Sequence, residues 1–247
     1  MKLCLLLLAH FVADFVFQNT GMAHNKTNKP KVLLKHCIIY SIAISAAVIF
    51  YGTVIQIILF AMSISLSHFI VDATRIRIQK RRLYTEKREF HRFIIDQSIH
   101  IAILIIASFF IPDRNSVGRA ISDFYYTYFS VNIFVIAVIT TAYVVCLNPT
   151  GVLIKKIFLR LGYQKFGNEE ENMSGFLIGV LERICVLTLA MLSQFTAISF
   201  VIAAKSLARI KMLEDKDFAE KYLVGTLLSV VIALVCGVAV QKLLGFS

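Results

Sequence analysis

The chain has 247 residues, 58% of them hydrophobic and 17% charged, with a mean hydropathy of +0.75. Apolar stretches near the length that crosses a bilayer recur along it, which excludes an ordinary soluble domain and indicates a polytopic membrane protein. The formal net charge of +11 is carried between the apolar stretches, not interleaved with aromatics on a polar domain. It therefore reads as a topology signal and as contact with membrane lipids through their anionic headgroups, and no nucleic-acid partner is expected.

In chain order, the expected fold is an all-α bundle of about eight membrane helices, at about 3–18, 33–52, 54–74, 92–111, 127–147, 174–192, 195–211 and 218–244. Seven result if 174–211 is one tilted helix and not a hairpin broken near Ser193-Gln194. The first segment is read as retained, because His10, Asp14 and Gln18 stand where a signal peptide would show a small-residue cleavage site. Four loops are basic: 19–32 with Lys26, Lys29 and Lys31; 75–92 with eight Lys/Arg; 148–173 with Lys155, Lys156, Arg160 and Lys165; and 205–221. The positive-inside rule places all four in the cytoplasm and both termini outside, with the links near Gly52, Pro112 to Asp123 and Ser193 facing outward.

Three regions are expected: residues 1–147, a cytoplasmic loop over 148–173, and membrane helices over 174–247. In the loop, Leu153, Ile154, Ile157, Phe158 and Leu161 alternate with basic residues at helical spacing, so it lies flat on the leaflet or forms a solvated linker. The five cysteines, at 4, 37, 146, 185 and 236, sit in or beside apolar runs without Cys-x-x-Cys spacing, which argues against disulfides and thiolate metal sites. The sequons at Asn25 and Asn172 fall in the cytoplasmic loops, where glycosylation is not expected.

Three polar phrases interrupt the apolar segments: His10-Phe-Val-Ala-Asp14, His68-Phe-Ile-Val-Asp72 and Asp96-Gln-Ser-Ile-His100. Each sets a histidine and an aspartate four residues apart, so on an α-helix the two side chains share a face about one turn apart. One such pair reads as an internal hydrogen bond. Three at the same depth, in the cytoplasmic halves of neighbouring helices, read as one site, because an aspartate at the centre of a membrane helix costs about 2.5–3.5 kcal/mol and is kept for function. Neutral imidazole and carboxylate suit zinc, manganese or iron, so His10, Asp14, His68, Asp72, Asp96 and His100 are the candidate ligands of a divalent metal. Asp14, Asp72 and Asp96 are also candidate bases, and His36, in the first turn of the second helix, is expected to orient substrate or water with Gln18. A metal there would activate water for hydrolysis of a lipid or other membrane-surface substrate. The rivals are a transporter of protons or metal ions using the same groups, and a non-catalytic scaffold or signalling component whose pairs lock helices together.

The second half carries Glu182-Arg183, Gln194, Lys205-Ser206-x-x-Arg209 and Glu220-x-Tyr222-x-x-Gly225-Thr226-x-x-Ser229. Glu182 and Arg183 are expected to pair with other helices, Lys205 and Glu220 being the natural partners, and Gly175-x-x-x-Gly179 to permit close helix approach.

The motifs His10-x-x-x-Asp14-x-x-x-Gln18, Lys31-x-x-x-Lys35-His36, His68-x-x-x-Asp72 and Asp96-Gln97-x-x-His100 resemble the bacterial membrane proteins grouped as domain-of-unknown-function family 3307. The similarity continues into Gly179-x-Leu181-Glu182-Arg183, Ala204-Lys205-Ser206-x-x-Arg209 and Glu220-x-Tyr222-Leu223-x-Gly225-Thr226-Leu227. The resemblance implies a bacterial inner-membrane location and supplies no substrate or reaction.

Overall fold

The computed structural model describes residues 1–81, 88–163 and 169–245. Among them the only β pairing is an isolated bridge between Tyr51 and Arg114; the fold is all-α. The chain divides into two compact units, Met1–Thr141 and Ala142–Ser247.

Unit 1 begins with α1 (Lys2–Phe11), which widens into a π-helical segment over Val12–Phe17. The chain leaves the helix at Gln18 and re-enters a short helix, α2 (Thr20–Asn25), whose N-cap Asn19 accepts the Met22 backbone N–H. Three long helices follow: α3 (Pro30–Val48), opened by proline in its first turn, α4 (Val54–Arg81) and α5 (Glu89–Phe110). They pack with α1 around an apolar core of Leu6, Ala13, Tyr40, Ile44, Val48, Ile64 and Leu104. Because the helices alternate in direction, the C-terminal part of α1, the start of α3, the end of α4 and the start of α5 meet at one end of the bundle.

The opposite end is tied by backbone and side-chain hydrogen bonds. Lys2 Nζ donates to the Ile111 carbonyl at 2.8 Å, Asn115 Nδ2 to the Ile49 carbonyl at 2.9 Å, and the Gly52 N–H to the Asp113 carbonyl at 3.0 Å. Gly52 has φ +70°, and a Cβ there would meet Pro112 Cγ at 2.5 Å, so both conformation and space require glycine. The stretch Pro112 to Asp123, expected as a link, contains most of α6 (Ser116–Phe129). Its exposed Phe124, Tyr126, Tyr128 and Phe129 are the residue types that anchor at a bilayer interface. The sequence reading missed it because α6 is too polar on one face to register as a span and ends at Ser130 in the left-handed region (φ 53°).

Helix α7 (Ile133–Leu161) passes from unit 1 into unit 2, which continues with α8 (Glu169–Met191), α9 (Phe195–Ala208), a 3-10 turn over Ile210–Glu214 and α10 (Lys216–Leu244). Residues 148–161, expected as part of a basic loop, instead prolong α7 through Pro149; residues 164–168 of that loop lie outside the described residues. Pro149 has no N–H to offer the Val145 carbonyl, and Thr150 Oγ1 donates to that oxygen at 2.8 Å. The α8–α9 connection settles the hairpin question: the helix stops at Met191, Ser193 takes φ 59°, and a second helix begins at Phe195.

Five described helices are long and apolar enough to cross a membrane: Pro30–Val48, Val54–Lys80, Glu89–Phe110, Ile133–Leu161 and Lys216–Leu244. Of the eight expected, the segment at 3–18 is a ten-residue α-helix with a π continuation. The segment at 195–211 is a 14-residue helix, only about 21 Å long against a hydrocarbon core of about 30 Å.

Close helix approach occurs at a different glycine from those expected. A Cβ at Gly175 would meet nothing within 4 Å, and one at Gly179 would meet only Arg183 of its own helix. At Gly237 of α10, however, a Cβ would lie 2.5 Å from Ala190 Cβ and 3.0 Å from the Leu187 carbonyl of α8. Gly237→Val is therefore expected to destabilise the protein by about 1–3 kcal/mol through overpacking, read as a fall in the thermal unfolding midpoint in detergent, whereas Gly175→Ala is expected to be neutral.

Candidate metal centre

The end of unit 1 where α1, α3, α4 and α5 meet gathers all three His/Asp phrases and His36. His10, His36, His68, His100 and Asp72 are each no more than 2% exposed, Asp14 is 8% exposed and Asp96 9%. So many ionisable groups in an apolar bundle require mutual compensation. Within the phrases, the His10 to Asp14, His68 to Asp72 and His100 to Asp96 nitrogen–oxygen distances are 3.8, 3.8 and 3.9 Å. The closer contacts run between helices.

At the centre, His36 Nε2 of α3 and His68 Nε2 of α4 face each other at 3.1 Å. Asp14 Oδ1 lies 3.4 Å from the first and 3.6 Å from the second. Asp72 Oδ2 also approaches this edge, 3.5 Å from His36 Nε2 and 3.8 Å from His68 Nε2. The rings are held from behind: Tyr40 stacks on His68 at a centroid distance of 3.6 Å, and His100 stacks on its neighbour at 4.3 Å. His10 approaches from α1, its ring 5.4 Å from His100 and 6.1 Å from His68.

The π-helical segment carries Asp14. Such widened turns often mark functional sites, since the extra residue per turn re-aims the side chains that follow. Here it also brings the chain to Gln18, which accepts Lys26 Nζ at 2.7 Å. The expectation that Gln18 orients substrate or water gives way to this contact with a buried ammonium.

Lys26 is the largest surprise. Counted as a loop cation by its position, it is 5% exposed and donates to Asp72 Oδ2 at 2.8 Å. Arg75, one turn beyond Asp72 on α4, donates Nη2 to Asp72 Oδ1 at 3.1 Å and sets its Nε 3.3 Å from Asp96 Oδ1. That last contact is an ion pair without hydrogen-bond alignment, because both atoms are unpartnered as donor and acceptor. Gln97 bridges Asp96 to His10: its amide donates to Asp96 Oδ2 at 3.3 Å and its Oε1 lies 3.3 Å from His10 Nε2. An amide oxygen accepts only, so this contact assigns the proton to His10 Nε2 and leaves Nδ1 as a lone pair facing Asp14.

The charges are distributed unevenly. Asp72 has both Lys26 and Arg75, and Asp96 has Arg75 and Gln97. Asp14 is met only by imidazoles, and its Oδ1 is buried without a hydrogen bond, as are His10 Nδ1 and His100 Nε2. With neutral histidines, Lys26 and Arg75 leave the three carboxylates with one negative charge in excess, and Asp14 is the one that no Lys or Arg contacts directly among the described residues.

The ligand atoms of His10, Asp14 and His68, of His36, His68 and Asp72, and of Asp72, Asp96 and His100 each lie within 4.8 Å of one another. The arrangement fits a metal. Bonds of about 2.0–2.1 Å in a tetrahedron separate neighbouring ligand atoms by about 3.3 Å, whereas the same bonds in an octahedron separate them by about 3.0 Å. The triangle of His36 Nε2, His68 Nε2 and Asp14 Oδ1, with sides of 3.1, 3.4 and 3.6 Å, brackets the tetrahedral value, as does the triangle with Asp72 Oδ2 in place of Asp14, at 3.1, 3.5 and 3.8 Å.

Comparison with known families bears on this end of the molecule. Residues 3–128 match the family described as "Protein of unknown function (DUF3307)". The chain belongs to that family. The match spans α1 to α6, and so every residue of the cluster, and stops before α7; the motifs from Gly179 onward lie outside it. Neither the curated proteins nor the solved structures contain a match.

Unit 2 carries its own polar cluster. Lys205 pairs with Glu182, as expected, and also donates to Thr226 Oγ1 at 2.9 Å. Arg183 does not meet Glu220, which is exposed. It instead donates Nε to the Cys146 carbonyl and Nη2 to the Leu147 carbonyl at 3.0 Å, on the turn of α7 that precedes Pro149. A guanidinium saturating backbone carbonyls at a proline-bearing turn is a packing device.

Proposed function

We propose that the N-terminal half of this family builds an intramembrane metal centre of the zinc type, with Asp14, His36 and His68 as ligands and His10 Nδ1 completing the set. The observation that carries it is the coincidence of tetrahedral edge lengths with the one carboxylate that has no Lys or Arg partner. This moves His36 from orienting group to ligand, and the imidazole-rich donor set suits zinc or iron better than manganese. Asp96 and His100 support the centre through Gln97 and ring stacking, and Asp72, held by Lys26 and Arg75, stands beside the His36–His68 edge as the candidate base.

Such a metal lowers the pKa of a coordinated water to about 7, supplying a nucleophile for ester, phosphodiester or amide cleavage. Asp72 Oδ2, 3.5 Å from His36 Nε2, is placed to take a proton at the same centre when the Lys26 ammonium on that oxygen gives way. The reading is thus a metal-dependent hydrolase acting on a lipid or other membrane-surface substrate. Transport is disfavoured by the apolar layer of Leu6, Ile44, Val48, Ile64 and Leu104, which fills the bundle between the site and its tied end.

The family and the basic loops support a bacterial inner-membrane protein with the site end in the cytoplasm. Lys29→Cys, in a background without native cysteines, is expected to react with a membrane-impermeant maleimide only after cells are opened. Labelling of intact cells would invert the topology.

The test of the centre is zinc affinity by competition with a chromophoric chelator. Zinc is expected to bind more tightly than manganese, and Gln97→Leu to weaken zinc by about 10- to 100-fold, the usual cost of removing the partner that fixes a ligating imidazole. Zinc affinity unchanged by Gln97→Leu would remove His10 from the ligand set. Hydrolysis of a chromogenic ester or phosphodiester by zinc-loaded protein, lost on chelation, distinguishes the enzyme from a scaffold.

A further inference from the structure

A second feature of unit 1 lies on neighbouring faces of the helices that carry the centre. Between α1 and α3 runs a groove of about 660 Å³, walled by Leu5, Leu8, Ala9 and Val12 on one side and Ile39, Ile42, Ala43, Ala46 and Ala47 on the other. On α1 these positions follow i, i+3, i+4, i+7, a continuous stripe. At 100° per residue that stripe points well over a quarter-turn away from Leu6, His10 and Asp14, and the α3 stripe is centred about a quarter-turn from the mean direction of His36, Tyr40 and Ile44. The groove therefore adjoins the metal centre's helices without being the centre.

Its composition changes along its length. Most of the wall is aliphatic, and the small residues Ala43 and Ala46 open its floor. At one end stand Lys35, Asn19 and Met22, near the start of α3. Lys35 is exposed and, among the described residues, makes no hydrogen bond or ion pair. Lys31, one turn earlier on the same face, is also exposed, and the positive end of the α3 dipole falls at the same place. An aliphatic channel along a bilayer-spanning helix that ends in cationic side chains at a helix N-terminus is complementary to one molecule class, an amphiphile with a long acyl chain and an anionic head.

We infer that this groove binds an anionic phospholipid, one acyl chain lying between α1 and α3 and the phosphate at Lys35 and Lys31. The inference does not rest on the metal reading. It gives the family's centre a resident lipid one helix face away, on the helices that supply His10, Asp14 and His36.

The experiment is native mass spectrometry of the intact protein in detergent, titrated with phosphatidylglycerol and, separately, phosphatidylcholine of the same chains, with metal content measured on the same samples. Wild type is expected to retain phosphatidylglycerol over phosphatidylcholine. Lys35→Gln is expected to weaken phosphatidylglycerol about fivefold, the worth of one cation near an anionic headgroup, and to leave phosphatidylcholine unchanged. Ala46→Phe, which fills the floor from an exposed position, is expected to reduce retention of both lipids. All variants should keep wild-type metal content. Equal retention of the two lipids by wild type, or retention unaffected by Ala46→Phe, would overturn the inference and mean that lipid merely surrounds the protein. Loss of metal with lipid binding intact would count against the metal centre alone.

Discussion

Replacing Asp14 by asparagine is expected to abolish high-affinity zinc binding while leaving the protein folded. The substitution keeps size and one acceptor oxygen but removes the one carboxylate charge in the cluster that no Lys or Arg contacts directly. Zinc affinity should fall by more than about a hundredfold, beyond the range associated with losing an outer partner of a ligand. Asp72→Asn should cost less metal, because Lys26 and Arg75 already engage both Asp72 oxygens. Zinc should raise the unfolding midpoint of wild type and leave that of Asp14→Asn nearly unchanged, since ligand binding to the folded state is lost in the variant. Thermal unfolding with and without chelator reads the difference. A variant that binds zinc as wild type does would remove Asp14 from the centre.

The second large effect is expected at Lys26. Its pair with Asp72 is buried on both sides, at 5% and 2% exposure, and spans 46 residues of sequence. Breaking a buried pair typically costs about 3–5 kcal/mol because the partner is left charged and dry. Asp72 keeps Arg75, so Lys26→Met is expected at the lower end, about 3 kcal/mol, measured by unfolding in chelator. Lys26→Met combined with Asp72→Asn should be less damaging than the sum of the two single variants. A loss under about 1 kcal/mol would make the contact equivalent to a surface ion pair.

How far the sequence led can be stated for particular residues. The three His/Asp phrases were legible because helical periodicity converts a spacing of four into a shared face, and because carboxylates are costly in apolar segments. What periodicity does not carry is the order of contacts between helices. The short distances are His36 to His68 and Asp14 to both, each between residues on different elements, and no spacing within one helix reveals them. Lys26 was hidden for a different reason. Its loop position and charge are those of a topology signal, and only the short α2 and the turn at Gln18 fold its ammonium back into the bundle. Arg75 had a local signal in its spacing of three from Asp72. Gln97 lay within a recognised phrase, yet its bridging of Asp96 and His10 depends on α1 and α5 packing together.

In the second half, composition predicted membrane helices but not their lengths. α7 ran through a proline that sequence rules place at a helix end, because Thr150 and Arg183 take up the carbonyls of the turn before it. Gly175 and Gly179 carried the small-residue spacing, whereas the close contact formed at Gly237, where Ala190 offers a matching small side chain.

The central claim is that the Asp14, His36 and His68 cluster is a metal centre. Elemental analysis of wild-type protein, purified from the membrane without chelator and without a metal-affinity tag, tests it most directly. One equivalent of zinc per chain is the predicted result. Protein that is folded, retains no divalent metal above background and takes up none when zinc is supplied would contradict it, and would leave the histidines and aspartates as a hydrogen-bonded lock between four helices.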